Sequence, residues 1–118
     1  MKKIEAVIRR TKFAQTKEAL LEAGADWFSY EEVRSAGQAR NRRVYRGVCY
    51  ETDIIERMLI TLIVEAEEVQ KFLDVIYANA RTGEIGDGRA WVSDVDHYYS
   101  IRTGRCDADI DHSHLGKK

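Results

Sequence analysis

The apolar run that ends at Val64 constrains the fold of this chain more than any other feature. Residues Met58–Val64 read MLITLIV and form the centre of a predicted strand, Arg57–Glu65. A strand with one solvent-exposed face alternates apolar and polar residues, whereas a run this apolar indicates burial on both faces. We therefore expect this strand to lie in the middle of a sheet or beneath a subunit interface.

The rest of the chain repeats one order of elements around that strand. Thr11 is a plausible N-cap for the first helix, and Gly24 stands where a C-terminal capping glycine is expected. Two β-α-β units in succession predict an α+β fold of the ferredoxin-like type, an antiparallel sheet with two helices on one face. The other predicted elements are strands at Ile4–Arg9, Trp27–Val33 and Arg89–Val95 and helices at Thr11–Ala23 and Ala66–Ala80.

Composition excludes several classes of protein. The 118 residues suit one domain, and a net charge of -1 gives no global attraction to nucleic acid. No apolar run approaches the roughly 20 residues that span a bilayer, and the N-terminus lacks the apolar core of a signal peptide. Cys49 and Cys106 provide no disulfide framework. We expect a cytoplasmic protein without membrane insertion.

A glycine-rich stretch, residues 81–89, lies between the second helix and the last strand. It contains Gly83, Gly86 and Gly88, and glycine lets an anion approach the backbone closely. Successive N–H groups in such a turn form an anion site, to which Thr82 can add a hydroxyl donor. Spacing alone leaves a capping turn and a phosphate-binding loop as equal alternatives.

Two further segments are less regular. The connection Gly37–Glu56 is too long for a hairpin loop and carries four arginines with two tyrosines, which favours a loop that binds a partner. A solvated basic loop is the plain alternative, and a nucleic-acid site is a weaker one. The tail at 105–118 holds carboxylates and imidazoles that could bind a divalent metal, but a mobile polar tail is the better interpretation. These tail residues are Asp107, Asp109, Asp111, His112 and His114.

Five segments of the sequence resemble those of the PII signal-transduction proteins of nitrogen regulation. They are MKKIEAVIRR at the start, TKEALLEAG in the first helix, YRGVCY at 45–50, TGEIGDG at 82–88 and IRTG at 101–104. The resemblance covers residues 1–104 and implies a homotrimer that binds ATP or ADP between subunits. The motifs place no Ser/His/Asp or Cys/His set, so we do not expect an enzyme. The resemblance also implies that 37–56 is the family's T-loop, which contacts protein targets. Such targets include an ammonium transporter, glutamine synthetase, nitrogenase or a modifying enzyme.

The resemblance assigns roles to individual residues. It implies 2-oxoglutarate and Mg²⁺ as effectors near Gln38, Arg57 and Gly86, and Tyr50 occupies a position that is uridylylated in some members. The implied nucleotide-binding residues are Ser29, Gly37, Gln38, Thr82, Gly83, Ile85, Gly86, Asp87, Gly88, Arg89 and Arg102.

The chain departs from the family pattern at two positions. Ser100 stands where the family has an arginine, and the T-loop is one residue shorter before YRG. Three alternatives remain open: a PII-like sensor of another small anion or metal, a nucleic-acid-binding domain, and a small nucleotide-dependent enzyme.

Overall fold

The computed structural model describes residues 1–36, 43–45, 48–50 and 54–106. A single 3₁₀ turn precedes each of the two helices, at Arg10–Lys12 and at Ala66–Glu68. The elements in chain order are β1 (Lys2–Arg9), α1 (Phe13–Glu22), β2 (Ser29–Ala36), β3 (Arg43–Tyr45), β4 (Val48–Tyr50), β5 (Ile54–Val64), α2 (Val69–Ala80) and β6 (Gly88–Asp94).

The main sheet has four strands in the order β2-β5-β1-β6, and every neighbouring pair is antiparallel. The apolar strand β5 is therefore internal, as its sequence predicts. The α+β prediction of a ferredoxin-like double β-α-β fold is confirmed.

The hydrophobic core lies on one face of this sheet, beneath both helices. Alternate residues of β1 and β5 face it, and Leu20 of α1 with Phe72 and Ile76 of α2 close it from above. Burying an aliphatic or aromatic side chain of this size contributes about 1.5–3 kcal/mol. The strand residues that build the floor are Ile4, Ala6, Ile8, Met58, Ile60, Leu62 and Val64.

The opposite face of the sheet has no helix over it in the described part of the chain. Val7, Leu59 and Ile63 are only half-buried there, and Trp91 is 45% exposed. The indole Nε1 of Trp91 donates to Glu5 Oε1 at 2.8 Å, which links β6 to β1 across this face. We call this surface the open face.

The start of the first helix differs from its prediction. Thr11 is not the N-cap, because it lies inside the 3₁₀ turn and Lys12 occupies the cap position without a side-chain cap bond. The Thr11 hydroxyl therefore does not cap the helix. The C-terminal prediction is confirmed, since Gly24 has φ +99° and follows the last turn.

Strand boundaries also differ from prediction. The second strand runs from Ser29 to Ala36 rather than Trp27–Val33, because β5 begins at Ile54 and offers a longer pairing partner. The long connection contains a short antiparallel pair, β3 with β4, separated in sequence by Arg46 and Gly47. At the other end, Ser100 N donates to Arg105 O at 2.9 Å, so ordered structure extends into the predicted tail.

Candidate functional site

The glycine loop is held together by one carboxylate, that of Asp87. The backbone N–H groups of Thr82 and Gly83 donate to Asp87 Oδ2, each at 2.8 Å, and the Thr82 hydroxyl donates to Oδ1. The bond from the Thr82 hydroxyl, with further bonds from Arg9 and the two amides, holds the pKa of Asp87 far below its usual range. The N–H groups at the start of the loop therefore bind the carboxylate of the loop's own Asp87.

In this structure the Thr82 hydroxyl is engaged within the loop. It donates to Asp87 and its oxygen accepts from the Glu84 N–H at 3.1 Å, so it is not free to donate to a ligand. Within the part of the chain that the structure describes, the N–H groups of Ile85 and Gly86 donate to no acceptor inside the loop. The anion-binding part of the loop is therefore its second half.

Two arginines lie beneath that second half. Arg9 on β1 and Arg57 on β5 are directly opposite each other in the sheet register. A side chain at Gly86 would begin 3.3 Å from Arg9 Nη2 and 3.5 Å from Arg57 Nη2. The space above Gly86 is thus bordered by backbone and by two guanidinium groups, a combination that suits phosphate or carboxylate oxygens.

The electrostatics of this pair also favour an anion. Arg57 is only 6% exposed, and burial lowers its pKa, with the positive charge of Arg9 adding to the effect and Asp87 opposing it. Like charges opposite each other in a sheet are unfavourable. Among the described residues, the carboxylate of Asp87 accompanies these two guanidinium groups, so an additional anion would relieve the remaining repulsion.

Arg9 is the residue that sequence reasoning missed. Its Nε donates to Asp87 Oδ1 at 2.9 Å and its Nη2 donates to the Ile85 carbonyl at 3.2 Å. In the sequence it is simply the last polar residue of an alternating strand. Pairing that strand with β5 in the correct register would have placed it opposite Arg57, a predicted site residue.

The remaining predicted site residues are distributed over the molecule. Arg89 pairs with Val7 and lies on the same face as Arg9 and Arg57. Ser29 pairs with Thr61, four residues along β5 from Arg57, or about 13 Å at the rise of a strand. A single chain therefore does not bring Ser29 to the glycine loop.

Other predicted residues lie in the exposed turn after β6 or beyond the described part of the chain. Arg102 and Ser100 belong to that turn, which is closed by the bond from Gly104 N to Ser100 O at 2.8 Å. Gly37 and Gln38 lie outside the described residues, and Tyr50 ends β4.

Within residues 1–36 and 54–106 there is no group of three or more potential metal ligands, and the Asp/His segment 107–114 lies outside the described residues. No helix in the described chain has the length and apolar character needed to cross a membrane.

Comparison with known proteins gives a consistent result. The family model "Nitrogen regulatory protein P-II" matches residues 1–105. The chain is 40% identical over 105 residues to a nitrogen regulatory protein P-II of Microchaete diplosiphon, which covers 88% of this chain and 94% of that protein. It is 37% identical over 105 residues to nitrogen regulatory protein P-II 1 of Methanothermobacter thermautotrophicus, covering 88% and 91% respectively.

Proposed function

Because this chain belongs to the P-II nitrogen regulatory protein family, we propose that it binds ATP or ADP at the glycine loop and reports binding to a protein target. The observation that carries the proposal is the space above Gly86, bordered by open N–H groups and by Arg9 and Arg57. Backbone donors and guanidinium groups together bind phosphate with several charge-assisted hydrogen bonds.

The nucleotide site is completed by association into a homotrimer. Ser29 on β2 pairs with Thr61, which lies four residues along β5 from Arg57, and Arg102 lies in an exposed turn. A second subunit packed against the open face would supply such residues to the loop of the first. Arg89, on the open face at the start of β6, is then placed between the two subunits.

The response is transmitted through residues 37–56 to a cytoplasmic protein target. That target is a protein of nitrogen assimilation, such as an ammonium transporter, glutamine synthetase, nitrogenase or a modifying enzyme that acts on Tyr50. The strand β5 supports this route, because it runs from this connection at Ile54 to the buried Arg57. A ligand that binds two conformations of the connection unequally shifts their populations.

A comparison of two glycine variants tests the nucleotide site. Gly86→Ala would place a methyl group between the two guanidinium groups, and we expect ADP affinity to fall at least tenfold, about 1.4 kcal/mol. Gly83→Ala is the matched control, because Gly83 also has positive φ but open space around its Cβ position. Calorimetric titration of ADP into the wild type and both variants tests this, and wild-type affinity in a folded Gly86→Ala variant would show that the loop is only a turn.

The same site supports a second, anionic effector, 2-oxoglutarate bound with Mg-ATP. Arg57 is buried beside the space above Gly86, where it can pair with a carboxylate. The family resemblance assigns the metal-binding amide to Gln38, which lies outside the described residues. Magnesium requires ligands at about 2.1 Å, so a misplaced amide is not tolerated. We expect 2-oxoglutarate to bind only in the presence of Mg-ATP and to lose that binding in Gln38→Ala.

Titration of 2-oxoglutarate into protein saturated with Mg-ATP measures this effect. Undiminished binding in Gln38→Ala would exclude the metal-ligand role of Gln38. Equal binding without nucleotide would instead favour a simpler sensor, in which Arg9 and Arg57 hold a small anion directly.

A further inference from the structure

We propose that Arg9 is a positioning residue: together with Asp87 it holds the glycine loop in its binding shape before any ligand arrives. We call this arrangement the Arg9–Asp87 brace, comprising the ion pair of these two side chains and their bonds to the loop backbone. The inference rests on the proposed function, since the shape of the loop matters most if the loop binds nucleotide.

The brace contacts the loop at three separate points. Asp87 accepts from the N–H groups of Thr82 and Gly83 at the start of the loop, each at 2.8 Å. Arg9 Nε donates to that same carboxylate at 2.9 Å, and its Nη2 donates to the Ile85 carbonyl at 3.2 Å in the middle of the loop. The beginning, middle and end of the loop are thereby joined to one side chain of β1.

The strand that carries Arg9 is a firm anchor. β1 pairs with β5 on one side and β6 on the other, and its alternate side chains Ile4, Ala6 and Ile8 are buried. A glycine-rich loop has many accessible conformations when free, and the conformational entropy that it loses when a ligand orders it opposes binding. Attachment to a paired strand removes part of that cost in advance.

The brace also directs the Asp87 charge away from the ligand. Its oxygens accept from the loop and from Arg9, so the carboxylate is compensated within the protein. The N–H groups of Ile85 and Gly86 are left for an incoming anion. A lysine at position 9 would keep the charge but would lack the two separate donors that reach Asp87 and Ile85.

The first measurement is ADP affinity of the full chain by calorimetry. We expect Arg9→Gln and Asp87→Asn each to weaken ADP binding at least tenfold. The ADP affinity of the double variant should lie within twofold of that of the weaker-binding single variant. Arg9→Lys should not restore binding. Arg10→Gln is the matched control, since the neighbouring Arg10 pairs with Glu32 and Glu56 away from the loop.

The second measurement reports on the loop without ligand. Hydrogen exchange at the amides of Thr82 and Gly83 should become at least tenfold faster in Arg9→Gln, while the amide of the buried Ile76 keeps its rate. A general loss of stability would accelerate both. The exchange rates therefore separate a positioning role from a merely structural one, and they need no nucleotide.

The outcomes distinguish this inference from the proposed function. If the wild-type protein binds no nucleotide, the proposed function fails while the exchange rates still test the brace. If the wild type binds ADP and Arg9→Gln binds it equally, the brace is overturned. Full rescue by Arg9→Lys, or an equal loss in Arg10→Gln, would show that charge alone matters. Should Arg9→Gln fail to fold, Arg9→Lys and Asp87→Asn provide the same comparison.

Discussion

Gly88 is the residue at which the glycine loop meets the sheet, and its lack of a side chain is a steric requirement. Its φ is +111°, and a Cβ there would lie 1.9 Å from the Val7 carbonyl oxygen and 3.0 Å from its carbon. Those atoms belong to the backbone of β1, which is held by pairing on both sides. Any side chain at this position must therefore separate β6 from β1 or distort the loop.

We expect Gly88→Ala to lower the free energy of unfolding by about 3 kcal/mol or more, since backbone strain adds to the overlap. Gly104→Ala is the control: φ is +69° and nothing lies within 4 Å of its Cβ position. Strain alone should cost that variant about 1–2 kcal/mol. Denaturant unfolding at one protein concentration measures both, and equal losses would contradict the steric argument.

At the scale of elements, the sequence predicts types and order better than contacts. The apolar run in β5 indicates burial on both faces, and hydrophobic periodicity locates both helices. The glycine loop is also evident from composition. These features depend on neighbours in sequence, which a single chain displays directly.

The contacts that make the site depend instead on register. Arg9 and Arg57 are opposite each other only because β1 pairs with β5 from Lys2↔Val64 to Arg9↔Arg57. No local pattern gives that alignment, so the sequence points to Arg57 through the family resemblance but does not point to Arg9. The bond from the Thr82 hydroxyl to Asp87 is also not evident from the sequence, because the side chain that accepts from it lies five residues later.

The antiparallel pairing of β3 with β4 could be predicted from the sequence. The strands RVY and VCY are separated in sequence by two residues that end in glycine, a pattern that favours a hairpin. The sequence interpretation treated the whole of 37–56 as one long loop. The arginine content favours binding, whereas the β-branched and aromatic residues on each side of this pair of residues indicate strands.

At the scale of the whole molecule, the open face of the sheet determines the expected assembly. Val7 and Leu59 are opposite each other at its centre, and Ile63 and Trp91 extend the apolar surface. Covering such surface favours association by about 25 cal/mol per Å². With a net charge of only -1, repulsion between copies is small.

We expect a homotrimer in solution, with a mass near three times the 13.6 kDa of one chain by light scattering at micromolar concentration. Leu59→Lys should dissociate it, because a buried charge at the centre of the open face has no partner. Leu21→Lys is the matched control, since Leu21 is 50% exposed on α1, on the covered side of the sheet. That variant should keep the wild-type mass.

The assembly and the ligand site should also fail together. If Ser29 and Arg102 reach the glycine loop from a second subunit, the dissociated Leu59→Lys protein must bind ADP at least tenfold more weakly, even though its own Arg9, Asp87 and Gly86 are intact. A wild-type monomer would remove the basis for the shared site. A dissociated variant with full ADP affinity would confine the site to one chain, and the open face would then need another role.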